Sequence, residues 1–158
     1  MNTLLPSDEI ERKWRLRYEP DIKPYTVQHI SQYYMYTSDD IEARIRCTDD
    51  DWTVTVKLGG GVRRSEYEFD ILPPCSAQLA IILKLPMIMK KRMMYRVHKY
   101  TPVIDRYIFP DNIDSVVEHE FTSIQAASAF VPFEWIGEEI TNDAELRNQS
   151  IAAVNTDI

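Results

Sequence analysis

Residues 9–13 read Glu9-Ile10-Glu11-Arg12-Lys13, two acids and a base alternating with other residues. In a strand, the period of two puts Glu9, Glu11 and Lys13 on one face and Ile10, Arg12 and Trp14 on the other. A helix would scatter them and leave only Glu9 and Lys13 as i,i+4 neighbours. Taken alone, the stretch is an amphipathic element with a wet, charged side. What raises it above that is recurrence: the same charged alternation returns in strand after strand.

Working outward, a first strand is expected over 8–17, ended by the Pro20 and Pro24 region. Residues 25–36 are rich in aromatic and β-branched side chains and read as a second strand or strand pair. After the turn Ser38-Asp39-Asp40, residues 41–48 alternate cleanly, with Glu42, Arg44 and Arg46 on one face. Asp49-Asp50-Asp51 turns the chain into a strand over 52–58, where Thr53, Thr55 and Lys57 oppose Val54 and Val56. The run Gly59-Gly60-Gly61 leads into 62–71, where Arg64, Glu66, Glu68 and Asp70 face one way. That run lacks the GK[ST] ending of a phosphate-binding loop and joins two strands. Pro73-Pro74 stops the strand, and 76–84 carries Leu79, Ile82 and Leu83 at helical spacing. A strand over 87–98 brings Lys90 and Arg92 into phase. A hairpin over 102–109 and 115–122 follows, with Glu118 and Glu120 alternating against Val117 and Phe121. Ser123 caps a helix over 124–130, a short strand runs over 138–141, and Asn142 caps a final helix to about 153. Residues 1–7 read as a loose lead-in and 155–158 as a disordered tail.

A chain of 158 residues suits one domain with a real core. Its 44% hydrophobic and 27% charged content is ordinary for a soluble protein. A formal charge of −7 disfavours general binding to nucleic acid or an anionic membrane. It leaves room for a small anion in a local basic cluster. Cys47 and Cys75 form no zinc spacing and no CxxC motif, and are read as reduced thiols. No apolar run approaches ~18 residues, and the start of the chain lacks a secretory pattern. A cytoplasmic protein is expected, with a homodimer left open.

One wet face of an antiparallel sheet also alternates, so alternation decides nothing alone. Wet strand faces, however, are usually built from Thr, Ser, Gln and Lys. Here the charged faces are almost wholly Glu, Arg and Lys, while the opposite faces are apolar and helices are available to cover them. A sheet of about eight strands can curl and close. The expectation is therefore an α+β fold: an eight-stranded antiparallel β-barrel tunnel, helices packed outside, charges lining the inside. Glutamates offer hard oxygen ligands to Mg²⁺ or Mn²⁺, and Arg and Lys grip phosphate oxygens. Together they suit a phosphate chain carrying divalent metal; without it the enclosed charges would have to satisfy one another.

Glu9-Ile10-Glu11-Arg12-Lys13 resembles the ExExK signature of the CYTH superfamily, the triphosphate tunnel metalloenzymes. The resemblance spans about 8–153. It includes Glu42-x-Arg44-x-Arg46, Thr55-x-Lys57, Arg64-x-Glu66-x-Glu68, Lys90-x-Arg92 and Glu118-x-Glu120 in the family's order, with Gly137 to Thr141 and Asn148 resembling its closing segment. The ordered set is specific where each piece is weak. The resemblance implies metal-dependent hydrolysis of a linear triphosphate, inorganic tripolyphosphate first, since short members opening with EIERK look most like inorganic triphosphatases. Adenylate cyclase and thiamine triphosphatase activities occur in the same superfamily, and a non-catalytic polyphosphate- or nucleotide-binding module is the alternative of another class.

The same resemblance implies roles. Glu9, Glu11, Glu68, Glu118 and Glu120 would hold Mg²⁺ or Mn²⁺. Lys13, Arg44, Arg46, Lys57, Arg64, Lys90 and Arg92 would bind the triphosphate. Lys13, Tyr34 and Glu66 would serve catalysis, with a Lys13–Tyr34 pair near the scissile phosphate. Arg12, His29, His98 and His119 are out of phase and read as surface or packing residues. Cys47 follows Arg46 and points to the packed face, and the methionines from Met87 to Met94 read as core filling. Trp52, next to the acidic turn, reads as cover for a hairpin end, with stacking on a base as the alternative. Asp105 is left between structural pairing and a tunnel role.

Overall fold

The computed structural model describes residues 5–154. Nine strands and three short helices follow in the order β1 (Ser7–Leu16), β2 (Thr26–Thr37), β3 (Ile41–Thr48), β4 (Asp51–Leu58), β5 (Arg63–Ile71), α1 (Ser76–Ile82), β6 (Met87–Met94), β7 (Val103–Phe109), β8 (Val116–Glu120), α2 (Ile124–Ala129), β9 (Ile136–Glu139) and α3 (Asn148–Val154). The spatial order is β5-β4-β3-β2-β6-β7-β8-β1, and a further β5–β1 pairing closes the ring. All pairings are antiparallel. The expected eight-stranded closed barrel is therefore present.

Closure depends on β1 serving three partners. Its first half pairs with β5 (Glu9 opposite Arg64), its second half with β8 (Glu11 opposite Glu120) and its last residues with β9 (Leu16 opposite Ile136). β9 thus takes up the edge of β1 where β5 leaves it, an arrangement that covers an otherwise unpaired edge. The strand expected over 138–141 lies two residues earlier because its register is set by β1, through Trp14 opposite Glu139. Residues 25–36 form one strand, with an irregularity between Tyr34 and Tyr36.

Alternation sorts the side chains into an inner and an outer set. On the outer wall, Trp14, Ile104 and Val117 are at most 1% exposed and pack with Phe121, Phe130 and Trp135 from the α2 region. Each such side chain contributes about 1.5–3 kcal/mol of burial. A second outer cluster joins Tyr33 and Ile45 to Ile82 of α1. α3 does something different. Its Ile151 and Ala152, with Ile140, pack on Tyr34, Ile88, Tyr107 and Val116. Those four share the inward phase of Gln32, Lys90, Asp105 and Glu118, so α3 fills one mouth of the barrel.

The final helix begins at Asn148 rather than after Asn142, and residues between are turns. β6 ends at Met94, short of the expected 98, where an isolated Val97–Tyr100 bridge takes over. Cys47 and Cys75 are both free thiols. The expected tail 155–158 and residues 1–4 of the lead-in lie outside the described residues. Among the described residues, no helix is long and apolar enough to cross a membrane.

Candidate active site

The inward positions of the closed barrel surround a polar cavity of about 170 Å³. Glu9, Glu11, Lys13, Arg44, Arg46, Lys57, Arg64, Glu66, Lys90, Arg92, Glu118 and Glu120 all line it. The sequence-predicted residues that do not are Glu68 and Tyr34. Glu68 is exposed further along β5 and accepts a hydrogen bond from Thr55 Oγ1 at 3.3 Å. Tyr34 is buried, and its hydroxyl accepts from Gln32 Nε2 at 2.8 Å, while Gln32 Oε1 accepts from Arg46 Nε at 3.0 Å. The charge of Lys13 acts on the Tyr34 hydroxyl, and Lys13 Nζ makes its ion pairs with Glu118 (2.6 Å) and Glu11 (3.4 Å). The reason is register: Glu118 stands directly opposite Lys13 on the neighbouring strand.

Charge is not mixed evenly around the lumen. The acids concentrate on β1, β8 and the start of β5, where Glu11 faces Glu120 in register. Burial pushes the Glu11 carboxyl upward, and the charges of Glu118 and Glu9 push the same way. Glu120 is raised by burial and by Glu9, Glu11 and Glu66. Burial would raise Glu9 too, but Lys57 and Arg64 outweigh it and hold Glu9 below its usual value. Lys57 Nζ bridges Glu9 and Glu66, the latter at 2.9 Å. Glu9 Oε2 lies 3.1 Å from Arg64 Nη2 yet accepts no hydrogen bond, leaving a buried oxygen without a donor.

The opposite wall, on β3 and β6, is basic. Arg46 is pushed down to about 10 by burial and by the neighbouring charges of Arg44 and Arg92. It has no carboxylate within ion-pair distance among the described residues. Lys90 is lowered to about 8 by burial, against the pull of Asp105. Asp105, fully buried, receives Lys90 Nζ and both Arg92 Nε (2.7 Å) and Nη2 (2.6 Å). It therefore combines both roles left open for it, a structural pair that aims two lumen cations. Glu118 is held well below its usual value, against burial, by Lys13, Lys90 and Arg92. Its two oxygens are taken by Lys13 and Arg92, each at 2.6 Å. Glu118 thus organises two lumen cations, one on each carboxylate oxygen.

Glu42, an acid of the charged face that lies inward on β3, is a site residue that alternation alone gives no role. It pairs with Arg44 at 2.9 Å and lies 3.7 Å from Arg64 Nη1, so it bridges the two guanidinium groups. Arg147 also lines the cavity and carries no strand-alternation signal, since it sits in the turns before α3. Among the out-of-phase residues, Arg12 clasps Glu139 and sits over Trp14, and His119 packs among Tyr100, Phe121 and Phe130. Both are outer-wall structure, as read.

Among the described residues, no three acidic, thiol or imidazole groups converge as a ready metal cage. The donors nonetheless fit a hard divalent cation: Glu11 and Glu120 repel one another, and Glu9 Oε2 is buried without a donor. A cation placed among them would relieve both conditions.

No family profile matches the chain. Over 146 residues it is 31% identical to an inorganic triphosphatase of Nitrosomonas europaea, covering 91% of this chain and 96% of that protein. The crystal structure of an inorganic triphosphatase superposes with a TM-score of 0.66 at 28% identity, over 91% of this chain and 97% of the other. At the level of fold alone, a putative adenylyl cyclase from Hippeastrum with a dominant triphosphatase activity gives a TM-score of 0.54 at 14% identity, over 76% of this chain and 82% of its own. Of the expected cation and glutamate positions, all but Glu68 meet in one lumen. The chain belongs to the inorganic triphosphatases of the triphosphate tunnel, or CYTH, superfamily.

Proposed function

We propose that this protein hydrolyses a linear triphosphate, inorganic tripolyphosphate before others, with Mg²⁺ or Mn²⁺, in the cytoplasm. The observation that carries the reading is the division of one enclosed lumen into an acidic and a basic wall. A phosphate chain bearing a divalent cation is complementary to both walls at once.

Arg44, Arg46, Lys57, Arg64, Lys90 and Arg92 hold the phosphate oxygens and neutralise charge as it moves to the leaving group. Arg46 alone of these six has no carboxylate within ion-pair distance among the described residues, and the Arg46–Gln32–Tyr34 chain fixes its aim. Tyr34 thus acts as a positioning residue. Glu9, Glu11 and Glu120 would hold the metal, which when bound supplies charge neutralisation and an acidified water. Water attacks the terminal phosphorus, the bridging P–O bond breaks, and phosphate and pyrophosphate leave. Glu66 accepts the proton of the attacking water. Lys13, held charged by Glu118 and Glu11 although buried, faces the negative charge that develops.

The test is phosphate release from tripolyphosphate, ATP and thiamine triphosphate, with Mg²⁺ and with EDTA, beside an assay for cyclic AMP. Mg²⁺-dependent release from tripolyphosphate supports the reading. Cyclic AMP as the main product would move the protein to the cyclases, and binding without product to a non-catalytic module.

A further inference from the structure

The substrate cations so far named all come from strands, yet the cavity has a further cation on its end wall. Arg147 precedes α3 and lines the lumen together with Leu146, Asn148 and Gln149. Its backbone carbonyl accepts from Ser150 N (2.9 Å) and Ile151 N (3.0 Å), which starts the helical turn. Tyr107, an inward residue of β7, donates its hydroxyl to Asn148 Oδ1 at 2.5 Å. Ile151 and Ala152 are anchored on Tyr34, Ile88 and Val116. Arg147 is therefore carried at the start of a segment pinned in the mouth against β2, β6, β7 and β8.

Its guanidinium has no ion pair among the described residues. Asp143 also lines the cavity but lies beyond ion-pair distance, and its Oδ1 accepts from the backbone nitrogen of Glu145 at 3.0 Å. Of the cations lining the lumen, only Arg46 and Arg147 lack a carboxylate partner among the described residues, whereas Lys13, Arg44, Lys57, Arg64, Lys90 and Arg92 each have one. Arg46 sits on the strand wall and Arg147 on the plug. An anion held between them would neutralise both and tie the plug to the barrel.

We propose that Arg147 is a further phosphate-binding residue of the tunnel, and that a bound triphosphate locks the α3 segment into the mouth through it. The proposal rests on the reading of the lumen as a triphosphate site, and it concerns binding, so it is tested apart from turnover.

Inorganic tripolyphosphate is titrated in EDTA into the full chain by calorimetry, with Arg147→Ala, Arg147→Lys and, as a net-charge control, Arg106→Ala, which is exposed outside the cavity. Amide exchange over 140–154 is followed with and without tripolyphosphate. Loss of one charge-assisted contact weakens binding roughly tenfold or more. Arg147→Ala should show that loss, Arg147→Lys should recover part of it, and Arg106→Ala should stay near wild type. Tripolyphosphate should slow exchange over 140–154 in wild type and not in Arg147→Ala. Wild-type affinity in Arg147→Ala, equal loss in Arg106→Ala, or the same protection in both proteins overturns the proposal. If wild type releases no phosphate while Arg147→Ala still binds more weakly, the proposed hydrolysis fails and the assignment of Arg147 stands. If wild type is active and Arg147→Ala binds normally, only Arg147 fails.

Discussion

Glu11 and Glu120 are raised while Glu118, one strand position away from either, is lowered, and the difference is their company. An acid whose folded pKa lies above its unfolded value binds protons more readily when folded. Its ionised form therefore costs stability, and that cost is relieved as pH falls through the raised value. In metal-free protein, Glu11→Gln and Glu120→Gln should each raise Tm by a few degrees while turnover is lost. A lower Tm in both would contradict the repulsion. Glu118 has the opposite sign: its stabilisation is present above the usual glutamate range and lost as pH falls through its depressed folded value. Glu118→Gln strips Lys13 and Arg92 of a buried partner and should cost about 3–5 kcal/mol in urea unfolding. Lys90, lowered to about 8, must be charged to grip phosphate, so kcat/KM should fall on an alkaline limb near that pH. Lys90→Arg should carry the limb upward, because a guanidinium stays charged; an unmoved limb would place the titration elsewhere.

At the scale of elements, β1 holds the fold and the site together because its two faces do different work. Its outer face buries Trp14 at 1% exposure, and its inner face supplies Glu9, Glu11 and Lys13. Trp14→Ala should cost about 3–5 kcal/mol in unfolding free energy, and the lumen should keep its ligand preference as long as the chain folds. Much of this was legible in residues 9–13, since a two-residue period fixes which side chains share a face whatever the pairing. The same logic found the lumen sides of β3, β4, β6 and β8. It put Glu68 in phase with Glu66 without showing that Glu68 lies further along β5, beside Thr55 and within reach of Arg46, because alternation gives the face and not the depth. It could not show that Glu118 stands opposite Lys13 in register and takes its ion pair. It also passed over Arg147, which lies in turns with no period to read.

Taken whole, the barrel is a container in which ion pairs line the wall and unneutralised charge of each sign gathers on a different side. Acids that repel one another stand on one wall, a cation free of carboxylate contact stands on the other, and an apolar plug from α3 fills part of one mouth. Burying so many ionised groups is expensive when they satisfy only one another, so the arrangement is best explained by the ligand it fits. The two walls should fail differently. The most direct measurement is kcat for tripolyphosphate in Mg²⁺ beside the affinity for tripolyphosphate in EDTA, for Glu11→Gln and Arg46→Ala in parallel. Glu11→Gln should lose at least about 10²-fold in kcat with metal-free affinity preserved, and Arg46→Ala should lose about tenfold or more in that affinity. Two variants that lose the same quantity by the same factor would contradict a lumen divided between metal and phosphate.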